Sequence, residues 1–207
     1  MGIIKRGILG GFSNKVGNVV GSSWKGIATM RVLPLSVANP RTASQVAVRT
    51  AFSKITALAS AGLTGFVKPL NDRFAVRMSG YNRFIQLNTN AFDASGDFVP
   101  ENLVISQGRL GETPITEVTI NLGSGVVVKW SPTPSGALQL STDLAYAVVV
   151  SENGELLGVS SAEQDRAVGD VSITAPDVTE DSVIYLAFLR SDGTEVSTST
   201  YQIGETP

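Results

Sequence analysis

Three pairs of carboxylates, Glu152/Glu155, Glu163/Asp165 and Glu180/Asp181, supply the residue types from which a glycoside-cleaving acid and its partner are drawn. Asp177 with Glu180 and Asp181 offers the oxygen ligands that calcium takes. Two glycine-rich runs, residues 7–11 and 17–21, have the composition of loops that cradle phosphate. None of these carries through. Each acid pair falls where a turn is expected, and solvated loop carboxylates are the ordinary reading. The acidic trio lacks a defined calcium-loop pattern. The glycine runs lack the Gly-Lys-Ser/Thr ending of a P-loop and do not sit in a strand–turn–helix unit, so tight turns and close backbone approach account for them. The chain has no histidine and no cysteine. A Ser-His-Asp triad, a histidine base and any disulfide are thereby excluded, and zinc and haem lose their commonest ligands. The expectation is a protein with no catalytic residues, no metal and no cofactor.

The basic residues are distributed more tellingly. Residues 1–90 hold twelve Lys and Arg against the single acid Asp72, a net charge of +11. Residues 91–207 hold the other four basic residues and seventeen acids, a net charge of −13. Such asymmetry points to an interaction segment or a head-to-tail contact. Charged residues make up only 16% of the chain and apolar residues 43%, which suits a surface partly covered by neighbours. No run approaches the roughly 20 apolar residues of a membrane span, and the residues after Lys5-Arg6 are too few and too glycine-rich for a signal peptide. No membrane insertion is expected.

The elements that would position these charges fall into two blocks. Residues 1–38 read as an arm of short extended pieces. In it, residues 18–24 and 27–32 flank Lys25-Gly26 as a hairpin, and two strands alone are marginal in water. Asn39-Pro40-Arg41-Thr42 opens a helix, with Thr42 and Gln45 spaced as a capping box. Val48, Phe52, Ile55 and Ala59 form its apolar stripe, Arg41, Gln45, Arg49 and Ser53 a polar face, and Gly62 its end. Further helical pieces are expected over 64–77, broken near Pro69, and over 79–89. Beyond residue 98 the period switches to two, with strands expected at 103–106, 117–122, 126–130, 145–150, 156–160, 171–174, 184–189 and 196–201. Asn153-Gly154, Asp192-Gly193 and the run 122–125 are hairpin turns. The spacing predicts an α+β chain: a basic N-terminal module over 1–98 (arm 1–38, helices 40–90) followed over 99–207 by an acidic antiparallel β-sandwich of immunoglobulin or fibronectin type, with Trp130 in its core.

The run KVGNVVGSSWKG over residues 15–26, then VANPRT over 37–42 with Gln45, Arg49 and Phe52, resembles an uncharacterised family found in Bacteroidota and their phages. That family closes near a Ser-x-Ser-x-Tyr motif, matched by Ser197, Ser199 and Tyr201. The resemblance implies a phage or phage-like context and no enzyme. By analogy with virion proteins that join an arm to a sandwich, the expected function is structural: a self-assembling component of a particle's head or tail, made in the host cytoplasm and carried in the particle. Its partners would be other copies of itself and other particle proteins. The interface is assigned to Phe12, Lys15, Val19, Val20, Trp24, Lys25, Arg31, Arg41 and Arg49, with the cations meeting acid on a neighbouring copy and Trp24 buried, within the module or at that contact. The alternative is a cytoplasmic nucleic-acid-binding protein using the same basic half. A glycan-binding module is weaker still, because Tyr146, Tyr185 and Tyr201 all fall at strand positions.

Overall fold

A computed structural model describes residues 2–3, 11–93, 95–160 and 164–204. Lys5-Arg6, residues 7–10 of the first glycine run and Glu163 lie outside them. The chain divides into two compact units: residues 1–42 with 76–78, and residues 43–75 with 79–207.

The first unit is a four-stranded antiparallel sheet of β1 (Gly2–Ile3), β2 (Asn14–Val16), β3 (Val19–Trp24) and β4 (Ile27–Val32), in the order β1-β4-β3-β2. The expected hairpin is present. Lys25 and Gly26 both take positive φ, as the two central residues of a type I′ turn require, and Trp24 pairs with Ile27 across it. A second two-residue turn, Gly17-Asn18, adds β2 to the sheet, with Gly17 at positive φ.

The second unit stacks three layers. Its helices are α1 (Ala43–Ala61), α2 (Lys68–Asn71) and α3 (Gly80–Leu87), with a π-helical turn Leu63–Val67 between the first two. Gly62 does close α1, and a Cβ there would strike the Phe66 ring. Ser79 caps α3 by accepting a hydrogen bond from the Asn82 amide. Seven strands follow: β5 (Ile115–Asn121), β6 (Gly125–Trp130), β7 (Leu144–Val150), β8 (Leu156–Val159), β9 (Asp170–Thr174), β10 (Val183–Leu189) and β11 (Thr200–Ile203). They make two antiparallel sheets, β11-β10-β7-β8 and β5-β6-β9. The chain is thus α+β, and the three expected turns each carry a glycine at positive φ: Gly123, Gly154 and Gly193.

The central strands show how the layers cohere. β7 alternates Tyr146, Val148 and Val150 on one face with Ala145, Ala147 and Val149 on the other. β10 does the same with Val183, Tyr185 and Ala187 against Ile184, Leu186 and Phe188. The first set packs against Ile55, Leu58, Phe66, Leu70 and Phe84 of the helical layer. The second packs against Val118, Ile120, Val126, Val128, Trp130 and Ile173 of the smaller sheet. Both strands are buried on both faces, so they read as unbroken apolar runs. This packing corrects the division expected near residue 98. The helices share a core with the C-terminal strands, and the compact units part between Thr42 and Ala43.

Residues 103–106 are not a strand. Two buried asparagines at helix ends hold this segment through side-chain amides in place of a ladder. Asn88 accepts from the Val104 amide at 2.7 Å and donates to its carbonyl at 2.9 Å, and Asn71 donates to the Ile105 carbonyl at 3.2 Å. From the other side Ser199 Oγ accepts from the Ile105 amide, while Ser106 donates to the Ser197 carbonyl. Ser197 Oγ accepts from the Phe188 amide at 2.8 Å, and the Tyr201 ring stacks on Tyr185. The Ser-x-Ser-x-Tyr motif is therefore a structural clasp, and the last strand starts at Thr200 rather than at 196.

Candidate assembly interface

Register fixes the two faces of the N-terminal sheet, because paired residues share a face and neighbours along a strand alternate. Val16, Val19 and Val32 are paired in one row across β2, β3 and β4. The next row on that face is Asn14, Gly21 and Met30, followed by Ser23 and Ala28. Phe12 covers part of it: a Cβ on Gly21 would stand 2.3 Å from the Phe12 carbonyl oxygen and 2.6 Å from its ring, so only glycine admits that close approach. The opposite face holds Lys15, Val20 and Arg31 in one row, Ser22 and Thr29 in the next, and Trp24 with Ile27 at the turn. A bond of 2.9 Å between the Ser22 and Thr29 hydroxyl oxygens ties the middle of that face.

The sheet has one apolar face, one cationic face and very little interior. Among described residues 11–42, Gly21 alone is buried. Val16 is 64% exposed, Val32 71% and Trp24 60%, and in the connector Leu35 is fully exposed. Trp24 is thus not buried within its own module. Lys25 donates to the Met78 carbonyl, which fastens the short segment 76–78 to the hairpin turn, and within it Arg77 holds a left-handed backbone at φ 58°. Residues 1–42 and 76–78 contain seven Lys and Arg and no acid.

Of the interface residues expected from the sequence, the sheet brings together Phe12 and Val19 on its apolar face and Lys15, Val20, Trp24 and Arg31 on its cationic face, with Lys25 in the turn. Arg41 is exposed in the connector after β4, and Arg49 belongs to α1 of the second unit. Sequence reasoning missed Val16, Met30 and Val32. The signal was available, since Gly17-Asn18 is itself a hairpin dipeptide and aligns Val16 with Val19.

In the second unit the expected stripe on α1 splits. Ile55, Leu58 and Ala59 enter the core, whereas Val48 and Phe52 remain exposed. Together with Ala47, Ala51, Ile55 and Phe92 they line an apolar groove of about 410 Å³. Of the loop acids, Glu152 is exposed in the β7–β8 turn, and Glu155 lines a second hollow of about 490 Å³ with Lys54, Leu58 and Ala61 of α1. Asp177, Glu180 and Asp181 lie exposed between β9 and β10.

No sequence pattern marks the buried ionic cluster between the strands. Asp143 and Arg166 are fully buried with Arg166 Nε 3.3 Å from Asp143 Oδ2, and Arg166 also donates to the Thr113 hydroxyl. Its guanidinium lies 3.8 Å from the centroid of the Phe188 ring, its carbonyl accepts from Trp130 Nε1 at 2.9 Å, and Asp143 Oδ2 accepts from the Leu140 amide. Burial lowers the pKa of Arg166, and the charge of Asp143 opposes that shift. The cluster pins the β6–β7 and β8–β9 crossovers to one another, a structural task. No curated protein matches the chain. Its sequence does match one family model over residues 11–204, from the apolar sheet face to the end of β11, and on that extent the chain belongs to the family of unknown function DUF6266.

Proposed function

We propose that this protein is a self-assembling structural component of a phage or phage-like particle, joined to its neighbours through the N-terminal sheet. The observation that carries the reading is a sheet that presents a row of three valines yet has a single buried residue among those described. Covering that bare apolar face removes its surface from water and so stabilises the sheet. Its valine face bears no charge, so another copy can cover it without stranding an ion. The net charge of the first unit, +7, against −9 for the second gives neighbouring copies a head-to-tail attraction that orients them. A heterologous contact of that kind propagates into rings or filaments. The particle context rests on the family resemblance described above and on analogy with virion proteins. Placing the first, second and fifth strands of the second unit in one sheet and the remaining four in the other supports an immunoglobulin- or fibronectin-like sandwich, here with a helical layer on one side.

The test is assembly at micromolar concentration, followed by native mass and negative-stain imaging. Deleting residues 1–34 should abolish it, and Val16→Asn with Val32→Asn should weaken it strongly. Reversing Arg41 and Arg49 to Glu should do less, since surface ion pairs are worth about 0–1 kcal/mol each. Normal particles from the truncated chain would refute the reading.

A further inference from the structure

The cationic face of the N-terminal sheet is left unused by assembly through the valine face. Lys15 and Arg31 stand on either side of Val20 in one row, about 10 Å apart at the spacing of neighbouring strands. Four residues along β3, about 13 Å away, Trp24 presents an indole that is 60% exposed. Ser22 and Thr29 fill the space between with hydroxyls. Lys25 and Arg77 add charge at the turn, where the Lys25 bond to Met78 holds the two segments together. The contrast with the second unit is instructive: there the exposed cross-strand Lys129 faces Glu117 at 3.0 Å, whereas the first unit contains no acid to neutralise its cations.

We infer that this face binds single-stranded nucleic acid, the cations taking backbone phosphates and Trp24 stacking on a base. Cations tracking a backbone beside an exposed aromatic ring are what sequence-independent single-strand binding needs. An acidic protein partner would engage the cations but has no use for a bare indole among them. The sandwich acids belong to the other compact unit, and the unit that holds this sheet contains no acid. The inference does not depend on assembly, because the two faces of the sheet are opposite.

The experiment uses the full-length chain and a fluorescein-labelled oligo(dT) 20-mer, with anisotropy read between 50 and 200 mM salt. Wild-type protein should bind, with affinity falling steeply as salt rises. Lys15→Gln with Arg31→Gln should reduce the log–log salt slope by about 1.4, two phosphate contacts on a single strand. Trp24→Ala should lower affinity about 5- to 150-fold and abolish the quenching of intrinsic fluorescence by oligonucleotide. Circular dichroism should show all three proteins equally folded, since each substituted side chain is exposed. The Val16→Asn, Val32→Asn variant should keep the wild-type salt slope, which separates this inference from the assembly reading. Oligonucleotide binding that is absent, or that the Lys15/Arg31 and Trp24 variants leave unchanged, would overturn it. So would a Lys15/Arg31 variant that disperses assemblies while oligonucleotide binding persists, because the face would then meet acid on another copy.

Discussion

Removing the helical layer should unfold the C-terminal strands, even though the sequence pattern suggests that they form a domain of their own. A fragment of residues 100–207 would bare the face of β7 and β10 that carries Tyr146, Val148, Val150, Val183 and Tyr185, each at most 5% exposed in the intact chain. Burying a large apolar side chain contributes about 1.5–3 kcal/mol, so these five represent roughly 8–15 kcal/mol. A compact denatured chain already hides some of this surface, which trims the figure by about 10–40%. The remainder matches the whole stability of an ordinary domain, about 5–15 kcal/mol. The fragment should therefore aggregate or behave as a molten globule, with far-ultraviolet dichroism retained, near-ultraviolet dichroism lost and the dye ANS bound. A fragment of residues 43–207 should instead unfold in one cooperative urea transition. If the shorter fragment also shows a sharp transition and a native near-ultraviolet spectrum, the shared core is not what holds the strands.

Arg166→Met should destabilise the protein by about 3–5 kcal/mol in urea, because it leaves buried Asp143 with only the longer contact to Arg190 at 3.9 Å, whereas Asp143→Leu combined with Arg166→Met should cost less than either alone. The bond and charge of Lys129 hold the Glu117 carboxyl below the usual glutamate range. Glu117 should thus titrate at an unusually low midpoint by NMR and return upward in Lys129→Ala. The stability this pair contributes is present above the ordinary glutamate range and lost as pH falls through the lowered pKa.

Legibility followed the range of the interactions. Local patterns were read correctly: the Lys25-Gly26 turn, the Asn153-Gly154 and Asp192-Gly193 turns, Gly62 at the end of α1 and the strands from β5 to β10 all rest on residues close in sequence. What escaped is built at a distance. Val48 and Phe52 lie on the same periodic stripe as Ile55 and Ala59, and nothing in that period says which half of the helix a core will reach. Residues 103–106 have strand composition, but Asn88 and Asn71 satisfy their backbone from helix ends 16 and 34 residues earlier. Asp143 and Arg166 look like ordinary loop charges until the fold closes over both. Of the nine residues expected at the interface, seven lie in or on the N-terminal sheet or in its turns. Their sorting into two opposed faces follows from the registers set by two local turns, Gly17-Asn18 and Lys25-Gly26, so it is legible once Gly17-Asn18 is taken as a hairpin dipeptide.

The doubly buried strands have a consequence for how the chain is made. LAYAVVV and VIYLAFL are seven-residue runs without a charge, a proline or a glycine, rich in β-branched and aromatic residues. Such segments stack into intermolecular zippers when left bare. Here their helical cover is encoded upstream: α1 to α3 end at Leu87, more than fifty residues before β7 begins at Leu144. On a ribosome the amphipathic layer therefore emerges first and waits for the strands it must shield, while the partner sheet strands β5 and β6 also precede β7. Gene order within the chain thus acts as its own chaperone schedule. A circular permutant that starts at Ala43 keeps that schedule; one that starts near Pro132 presents β7 before its cover and should be lost to inclusion bodies.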